Sequence, residues 1–191
     1  MRPKVLTMRA FGPYGGSQVI DFTLLEDINM FLIHGPTGSG KTTILDAICY
    51  ALYGQTNGGE RTAESMRSKF ATTDEPAEVT LTFYLKGDEY KVIRTPKFER
   101  PKKRGEGFTV EEGKALLYKL EEDEFKLVAA RLQEVDRKIE ELLVFNVDQF
   151  RQVIMIAQNK FRELLTADSK ERQKILQDIF ETGIYQSVEK Q

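Results

Sequence analysis

The chain has 191 residues, of which 40% are hydrophobic and 30% are charged, and its formal net charge is -2. These values predict a folded domain with its own core, and the near-neutral charge excludes a uniformly basic nucleic-acid-binding protein, so any such site must be a local patch. The lack of a membrane-length apolar run and of a signal-peptide pattern predicts a cytoplasmic protein with no membrane partner, and the single cysteine, Cys49, excludes an internal disulfide framework.

The first predicted elements form a β-hairpin. Residues 4–11 and 18–22 each alternate apolar and polar side chains, and the turn-forming sequence Gly-Pro-Tyr-Gly-Gly lies between them at 12–16. An apolar, β-favouring run at 29–34 predicts a third strand. An apolar stripe within 43–53 then predicts a helix that packs on a sheet.

Residues 35–42, between that strand and that helix, read Gly-Pro-Thr-Gly-Ser-Gly-Lys-Thr and match the phosphate-binding loop pattern G-x-x-x-x-G-K-[ST]. Glycines let several backbone N–H groups turn toward phosphate oxygens, and the following helix adds its positive N-terminal end. We expect Lys41 to reach the β- and γ-phosphates and the Thr42 hydroxyl to ligate Mg²⁺. An ordinary glycine-rich turn is the alternative interpretation, but the order of strand, loop and helix favours a nucleotide site.

The middle of the chain returns to strands after a polar stretch. Residues 54–77 predict a loop with a short helical turn around 63–70. The sequences at 78–85, 90–94 and 115–120 alternate as strands do, so we expect them to extend the sheet.

A basic segment at residues 94–107 separates the last two of these strands. Its cations are Arg94, Lys97, Arg100, Lys102, Lys103 and Arg104. The simplest interpretation is a solvated surface loop. The alternative is contact with DNA phosphates, which supplies affinity without sequence choice. The candidate DNA-binding residues are Arg100, Lys102, Lys103 and Arg104.

After residue 130 the apolar period becomes helical, which predicts an amphipathic helix. A second helix can begin at Asn146, and an apolar run of strand length at 153–157 ends at Gln158. Asp168 has the pattern of a helix N-cap, because a glutamate follows three residues later.

Strands followed by helices predict an α+β fold in which a mixed β-sheet carries the helix of the phosphate loop. We place one domain at 1–165 and, at 166–191, helices without a stop signal.

The sequence lacks both an apolar strand ending in a carboxylate for Mg²⁺ and a Leu-Ser-Gly-Gly-type signature. We therefore expect nucleotide binding with little hydrolysis by the chain alone. The missing Mg²⁺ carboxylate also argues against a stand-alone kinase or GTPase. Because Lys41 and Thr42 are both present, a vestigial nucleotide site is disfavoured.

Several motifs occur in a characteristic order: Phe-Gly-Pro-Tyr at 11–14 with Ile-Asp-Phe at 20–22, the phosphate loop extended to 35–47, Glu-Arg-Pro-Lys-Lys-Arg-Gly at 99–105, and Ile-Ala-Gln-Asn-Lys-Phe at 156–161. Together they resemble the N-terminal segment of the SbcC family, the bacterial SMC-like ATPases of DNA double-strand-break repair within the ABC class. The resemblance implies the N-terminal lobe of an ABC-ATPase head that leads into the root of a coiled coil. The C-terminal half of the same head would carry the signature and Walker B motifs.

The resemblance also implies partners and site residues. Two heads would close as a homodimer over ATP and Mg²⁺, and an SbcD-type nuclease near the coil root would then be given access to double-stranded DNA ends. The implied nucleotide-binding residues are Pro36, Thr37, Gly38, Ser39, Gly40, Lys41, Thr42, Thr43, Ser68, Lys69 and Phe70. Thr42 and Gln158 are the implied Mg²⁺ ligands, and Lys41 and Gln158 the implied catalytic residues.

Gly12 stands where archaeal and eukaryotic relatives of this family have an arginine. This departure leaves only backbone groups for a phosphate contact at that position. A second interpretation in the same ATPase class is an SMC or RecF-like head that holds DNA without a nuclease partner.

Overall fold

The structure is a computed structural model that describes residues 1–25, 28, 30–57, 62, 64–72, 75–102, 106–153 and 168. The chain divides into two units, Met1–Leu143 and Val144–Gln191. Of the predicted apolar run at 153–157, only Val153 is described, and it is helical. Gln158 and the helices predicted beyond it lie outside the described residues, apart from the exposed Asp168.

The strands of the first unit are β1 (Arg2–Phe11), β2 (Tyr14–Asp21), β3 (Glu78–Leu85), β4 (Asp88–Thr95), β5 (Phe98–Pro101), β6 (Phe108–Glu111), β7 (Lys114–Glu121) and β8 (Glu124–Ala130). Six of them form one sheet in the order β2-β1-β3-β4-β7-β8, and each neighbouring pair is antiparallel, so the described sheet is antiparallel and not mixed as predicted. Strands β5 and β6 pair with each other as a separate two-stranded ribbon. The predicted hairpin and the strands at 78–85, 90–94 and 115–120 are all confirmed.

Two helices of the first unit, α1 (Lys41–Tyr53) and α2 (Leu132–Leu143), pack on this sheet. Helix α1 lies against β1, β3 and β4, and α2 lies against β7 and β8. Their side chains meet the inward-facing row of the sheet, in which Val79, Leu81 and Phe83 are fully buried. Burial of alternate strand residues under apolar helix faces gives the α+β fold that the sequence predicts.

The second unit contains the described helix α3 (Val147–Val153). Asn146 begins it with a reciprocal cap: the Gln149 backbone N–H donates to Asn146 Oδ1 at 2.9 Å, and the Asn146 N–H donates to Gln149 Oε1 at 3.1 Å. This capping box satisfies two backbone donors at the start of the helix. It confirms that a helix begins at Asn146.

The strand predicted before the phosphate loop is not formed in the described residues 30–34. Met30 and Leu32 are 86% and 81% exposed, and Phe31 is 51% exposed. A β-strand is stable only when its backbone pairs with a neighbour, and none of the described strands pairs with this run. The β-favouring composition is present, but its pairing partner is not among the described residues.

Candidate nucleotide-binding site

The predicted phosphate loop is a compact turn that enters helix α1 at Lys41. Lys41 Nζ donates to the carbonyl oxygens of Gly35 at 2.8 Å and Pro36 at 2.7 Å, so its ammonium group lies across the loop. The Ser39 N–H donates to the Pro36 carbonyl at 3.2 Å and closes the turn. Lys41, which we expect to bind phosphate, is thus held over the loop that we expect to surround the phosphate.

The start of helix α1 is open to an anion. Gly40 is its N-cap residue, with φ +90°, and no side chain caps the helix by a hydrogen bond. The first N–H groups of a helix have no partner within the helix and, together with the helix dipole, attract negative charge. Thr42 is exposed in this first turn and Thr43 is buried, so the Thr42 hydroxyl is the one accessible to a metal or a phosphate.

The turn of the β1–β2 hairpin packs directly on the phosphate loop. The Tyr14 hydroxyl lies 3.4 Å from the carbonyl oxygens of both Ser39 and Gly40, and a Cβ atom on Gly40 would overlap this hydroxyl. Glycine is therefore required at residue 40 by its positive φ and by the close approach of Tyr14. Sequence analysis did not assign Tyr14 to the site, because only the fold brings this turn to the loop.

Gly12, in the same hairpin turn, contacts the first turn of α1. Its φ is +59°, and a Cβ there would lie 2.5 Å from Thr43 Cγ2. The Gly12 N–H donates to the Met66 carbonyl at 2.6 Å, so this N–H is already used within the fold. The lack of space explains why a larger residue does not stand at position 12.

The predicted ribose- and base-contacting residues, Ser68, Lys69 and Phe70, lie on the other side of this hairpin turn. The Ser68 N–H donates to the Ala10 carbonyl at 2.8 Å, and the Ser68 hydroxyl accepts the Phe70 N–H at 3.3 Å. Ser68 is buried, whereas Lys69 and Phe70 are exposed. A Cβ on Gly15 would lie 2.8 Å from the Phe70 carbonyl oxygen, so the loop and the hairpin are in contact.

One hairpin turn therefore joins the two segments that the sequence assigns to the nucleotide. It contacts the phosphate loop through Tyr14, the first turn of α1 through Gly12 and the 68–70 loop through Gly15. The side-chain roles of Pro36 through Thr43 and of Ser68 through Phe70 stay predictions. Gln158, the predicted second Mg²⁺ ligand, lies outside the described residues.

The basic segment differs from its prediction as one exposed loop. Arg94 belongs to β4 and is fully buried, so its assignment to an exposed loop is wrong. Lys97 pairs with Glu112 at 3.1 Å, and Arg100 Nε pairs with Glu111 Oε2 at 2.7 Å. The hydrogen bond from Arg100 and that from Lys114 lower the pKa of the Glu111 carboxyl. These pairs were not predicted because Glu111 ends β6, a strand that the sequence did not predict, and Glu112 follows it directly.

At the end of the ribbon, Lys102 is exposed and its N–H donates to the Gly107 carbonyl at 3.0 Å. Lys103 and Arg104 lie outside the described residues. Of the four predicted DNA-binding residues, the structure thus describes one neutralised by an acid, Arg100, and one that is solvent-exposed, Lys102.

The described part of the chain contains no group of three or more His, Cys, Asp or Glu side chains arranged to hold a metal ion. None of its helices is long and apolar enough to cross a membrane.

Comparison with known proteins gives consistent matches. The AAA domain family matches residues 6–191. The SbcC component of the nuclease SbcCD from Vibrio cholerae serotype O1 is 48% identical over 190 residues, which are 100% of this chain and 19% of that protein. The Lactococcus lactis protein of the same name is 40% identical over 98% of this chain and 18% of its own length. The chain therefore spans about a fifth of the length of the curated relatives that it matches.

Among solved structures, an SMC head domain from Thermotoga maritima is 25% identical. The match covers 72% of this chain and 42% of that one, with a TM-score of 0.43.

Proposed function

Because this chain belongs to the AAA domain family, we propose that it is the ATP-binding half of the head of an SbcC-like DNA-repair ATPase. In this proposal the nucleotide is ATP with Mg²⁺, and hydrolysis requires a C-terminal half that brings the Walker B and signature motifs. The place of action is the cytoplasm, where the sequence suggests that the chain resides.

The observation that carries the proposal is the position of Lys41. Its ammonium group is held by two loop carbonyls directly beside the uncapped start of α1. A cation and several backbone donors at one point suit the β- and γ-phosphates of a nucleotide. The exposed Thr42 hydroxyl in the same turn is suited to Mg²⁺, which prefers oxygen ligands and is commonly shared with substrate phosphates.

The remaining parts of the nucleotide would lie toward the hairpin turn. Phe70 is 79% exposed on a loop in contact with Gly15, next to the turn that packs on the phosphate loop. An exposed aromatic ring offers a flat surface for a base, and the neighbouring Lys69 offers a cation. We assign Pro36 to Thr43 to the phosphates and Ser68, Lys69 and Phe70 to the ribose and base.

Two observations support a nucleotide site that is completed by the C-terminal half of the same head. The run from Met30 to Ile33, which enters the phosphate loop, exposes four consecutive large apolar side chains without a strand partner among the described residues. Soluble proteins rarely leave such a run uncovered. In addition, the relatives are about five times longer than this chain. We infer that the C-terminal half of the same head covers this run and supplies a carboxylate for the attacking water.

The proposed partners follow from the relatives' name. Curated proteins named as the SbcC component of the nuclease SbcCD match the whole chain, so we propose an SbcD-type nuclease as the partner and double-stranded DNA ends as its substrate. Two such heads would close over two nucleotides, with Gln158 as the second Mg²⁺ ligand that detects closure. Lys102, with Lys103 and Arg104, would contact the DNA backbone.

The test is a titration of the full-length protein with MgATP, comparing wild type with Lys41→Ala and with Lys126→Ala. Lys126 is a half-exposed lysine on β8 that pairs with Glu121 and Glu122 and serves as the matched control. The proposal predicts that only Lys41→Ala loses affinity, by about a hundredfold, because a charge-assisted phosphate contact is removed. Equal affinity in all three proteins would overturn it.

A further inference from the structure

Arg94 is a fully buried cation at the C-terminal end of the helix that carries the phosphate loop. Its side chain is 0% exposed. Arg94 Nε donates to the Ala51 carbonyl at 2.8 Å, and Arg94 Nη2 donates to the Leu52 carbonyl at 2.8 Å. Nη2 also pairs with Asp136 Oδ1 of α2 at 2.6 Å. One guanidinium thus joins strand β4 to the last turn of α1 and to helix α2.

The carbonyls that Arg94 binds are ones that a helix cannot satisfy itself. The last four carbonyl groups of an α-helix have no partner within the helix, and a cation there also interacts favourably with the helix dipole. Gly54 closes the same end with φ +70°, and its N–H donates to the Tyr50 carbonyl at 2.8 Å. The planar guanidinium can bind two carbonyls and a carboxylate at once, which a lysine ammonium does only with poorer geometry.

The space around this contact leaves Arg94 little freedom. A Cβ on Gly54 would lie 3.1 Å from Arg94 Nη1, so the glycine turn closes directly over the guanidinium. Nη1 is buried and has no hydrogen-bond partner among the described residues. A buried donor left without a partner is costly.

The position of the C-terminal end of α1 affects the phosphate loop because the helix acts as a rigid rod. Its 13 residues span about 20 Å. A tilt of about 3° around the C-terminal end would move the N-terminal N–H groups by about 1 Å over that length. N–H···O hydrogen bonds need donor–acceptor distances of about 2.7 to 3.2 Å, so a shift of about 1 Å would weaken or break the contacts between these N–H groups and phosphate oxygens.

We propose that Arg94 is a positioning residue for the nucleotide: it fixes the C-terminal end of α1 against β4 and α2, and thereby aligns the phosphate loop at the other end. This inference rests on the proposed function, because it assumes that the loop binds ATP. It assigns a role to a residue that the sequence places among the cations of a surface loop.

The experiment uses the full-length protein and measures the Kd for MgATP together with the thermal midpoint in the absence of nucleotide. Arg94→Lys keeps the charge but loses the planar fork, and we expect the Kd to rise about tenfold at a temperature where the variant is fully folded. Arg9→Lys is the matched control, since Arg9 forms an exposed pair with Glu75 through its Nε at 2.7 Å. It should leave the Kd unchanged.

Asp136→Asn provides a second variant that should fold, because the Asp136 side chain is 44% exposed. Asparagine keeps an acceptor but removes the charge that holds the guanidinium, so the expected rise in Kd is about threefold. This variant decides the question if Arg94→Lys does not fold, and an unchanged Kd would then overturn the proposal.

The outcomes separate this inference from the proposed function. If Lys41→Ala loses MgATP while a folded Arg94→Lys binds it as wild type does with only a lower thermal midpoint, Arg94 is structural and the inference is overturned. If Lys41→Ala binds as wild type does, the nucleotide site itself is wrong. Loss of affinity in both variants, with Arg9→Lys unchanged, supports the positioning role.

Discussion

The Tyr14 hydroxyl lies 3.4 Å from the Gly40 carbonyl oxygen, at the point where the phosphate loop becomes helix α1. The two residues are far apart in the sequence, and they meet because β1 and β2 turn back beside α1. A side chain at residue 40 would overlap the tyrosine. The hairpin turn and the phosphate loop therefore form one packed unit, whose conformation depends on glycines on both sides.

Gly40→Ala should disable the nucleotide site. It places a Cβ at φ +90° and against Tyr14, so both backbone strain and overlap oppose it. Gly87→Ala is the matched control, because Gly87 has φ +96° with nothing within 4 Å of the added atom. Urea unfolding should show a loss of about 1 to 2 kcal/mol at Gly87, from backbone strain alone, and a larger loss at Gly40.

MgATP affinity should fall only in Gly40→Ala. Similar stability losses for the two substitutions would mean that Tyr14 yields easily and does not hold the loop.

Gly12→Ala should destabilise the chain through contact with Thr43, and Thr43→Ser should relieve part of the effect. The added Cβ would lie 2.5 Å from Thr43 Cγ2, the methyl group that serine lacks, whereas the strain of φ +59° is the same in both backgrounds. A double-mutant cycle by urea unfolding should give a coupling of about 1 kcal/mol in the compensating direction. Additive effects would contradict the packing of the hairpin turn on α1.

Arg100→Gln should raise the pKa of Glu111 toward the ordinary value of a glutamate. In the wild type the hydrogen bond from Arg100 lowers this pKa most, followed by that from Lys114. Because the folded-state pKa is depressed, the pair stabilises the fold above the unfolded-state pKa, and this stabilisation is lost as pH falls through the folded-state pKa. An NMR titration of the Glu111 carboxyl carbon measures the shift directly, and an unchanged pKa would show that the pair does not persist in solution.

DNA binding should depend on Lys102 and the two cations that follow it in the sequence more than on the paired residues of the β5–β6 ribbon. Charge reversal of Lys102 together with Lys103 and Arg104 in the full assembly should weaken binding and flatten its dependence on salt, because fewer counterions are released. Arg100→Gln is the comparison, since Arg100 is already paired with Glu111. A salt slope that stays the same after reversal of these three charges would exclude them from the DNA contact.

The parts of the site that could be predicted from sequence are those fixed by local chemistry. The phosphate loop, the helix after it and the amphipathic α2 depend on neighbouring residues, and each is found where the pattern indicates. Strand pairing is not local, so the run at 30–34 has the composition of a strand without a described partner. Strands β5, β6 and β8 were not predicted for the converse reason, because a pairing partner stabilises a segment whose own pattern is weak.

Arg94 illustrates the same limit for a single side chain. In the sequence it begins a stretch rich in cations, and charge alone predicts exposure. The strand turns it instead toward the end of α1, where helix carbonyls and Asp136 compensate its charge. The alternation of β4 could have suggested an inward position for residue 94, since Val92 and Tyr90 lie on the same buried face.

The most direct test of the account is ATP turnover by this chain alone and after addition of the C-terminal half of its head, with Lys41→Ala as the control in both cases. We expect negligible turnover by the chain alone and Lys41-dependent turnover after mixing, because the carboxylate that activates water comes from the second half. Full Lys41-dependent turnover by the isolated chain would contradict it.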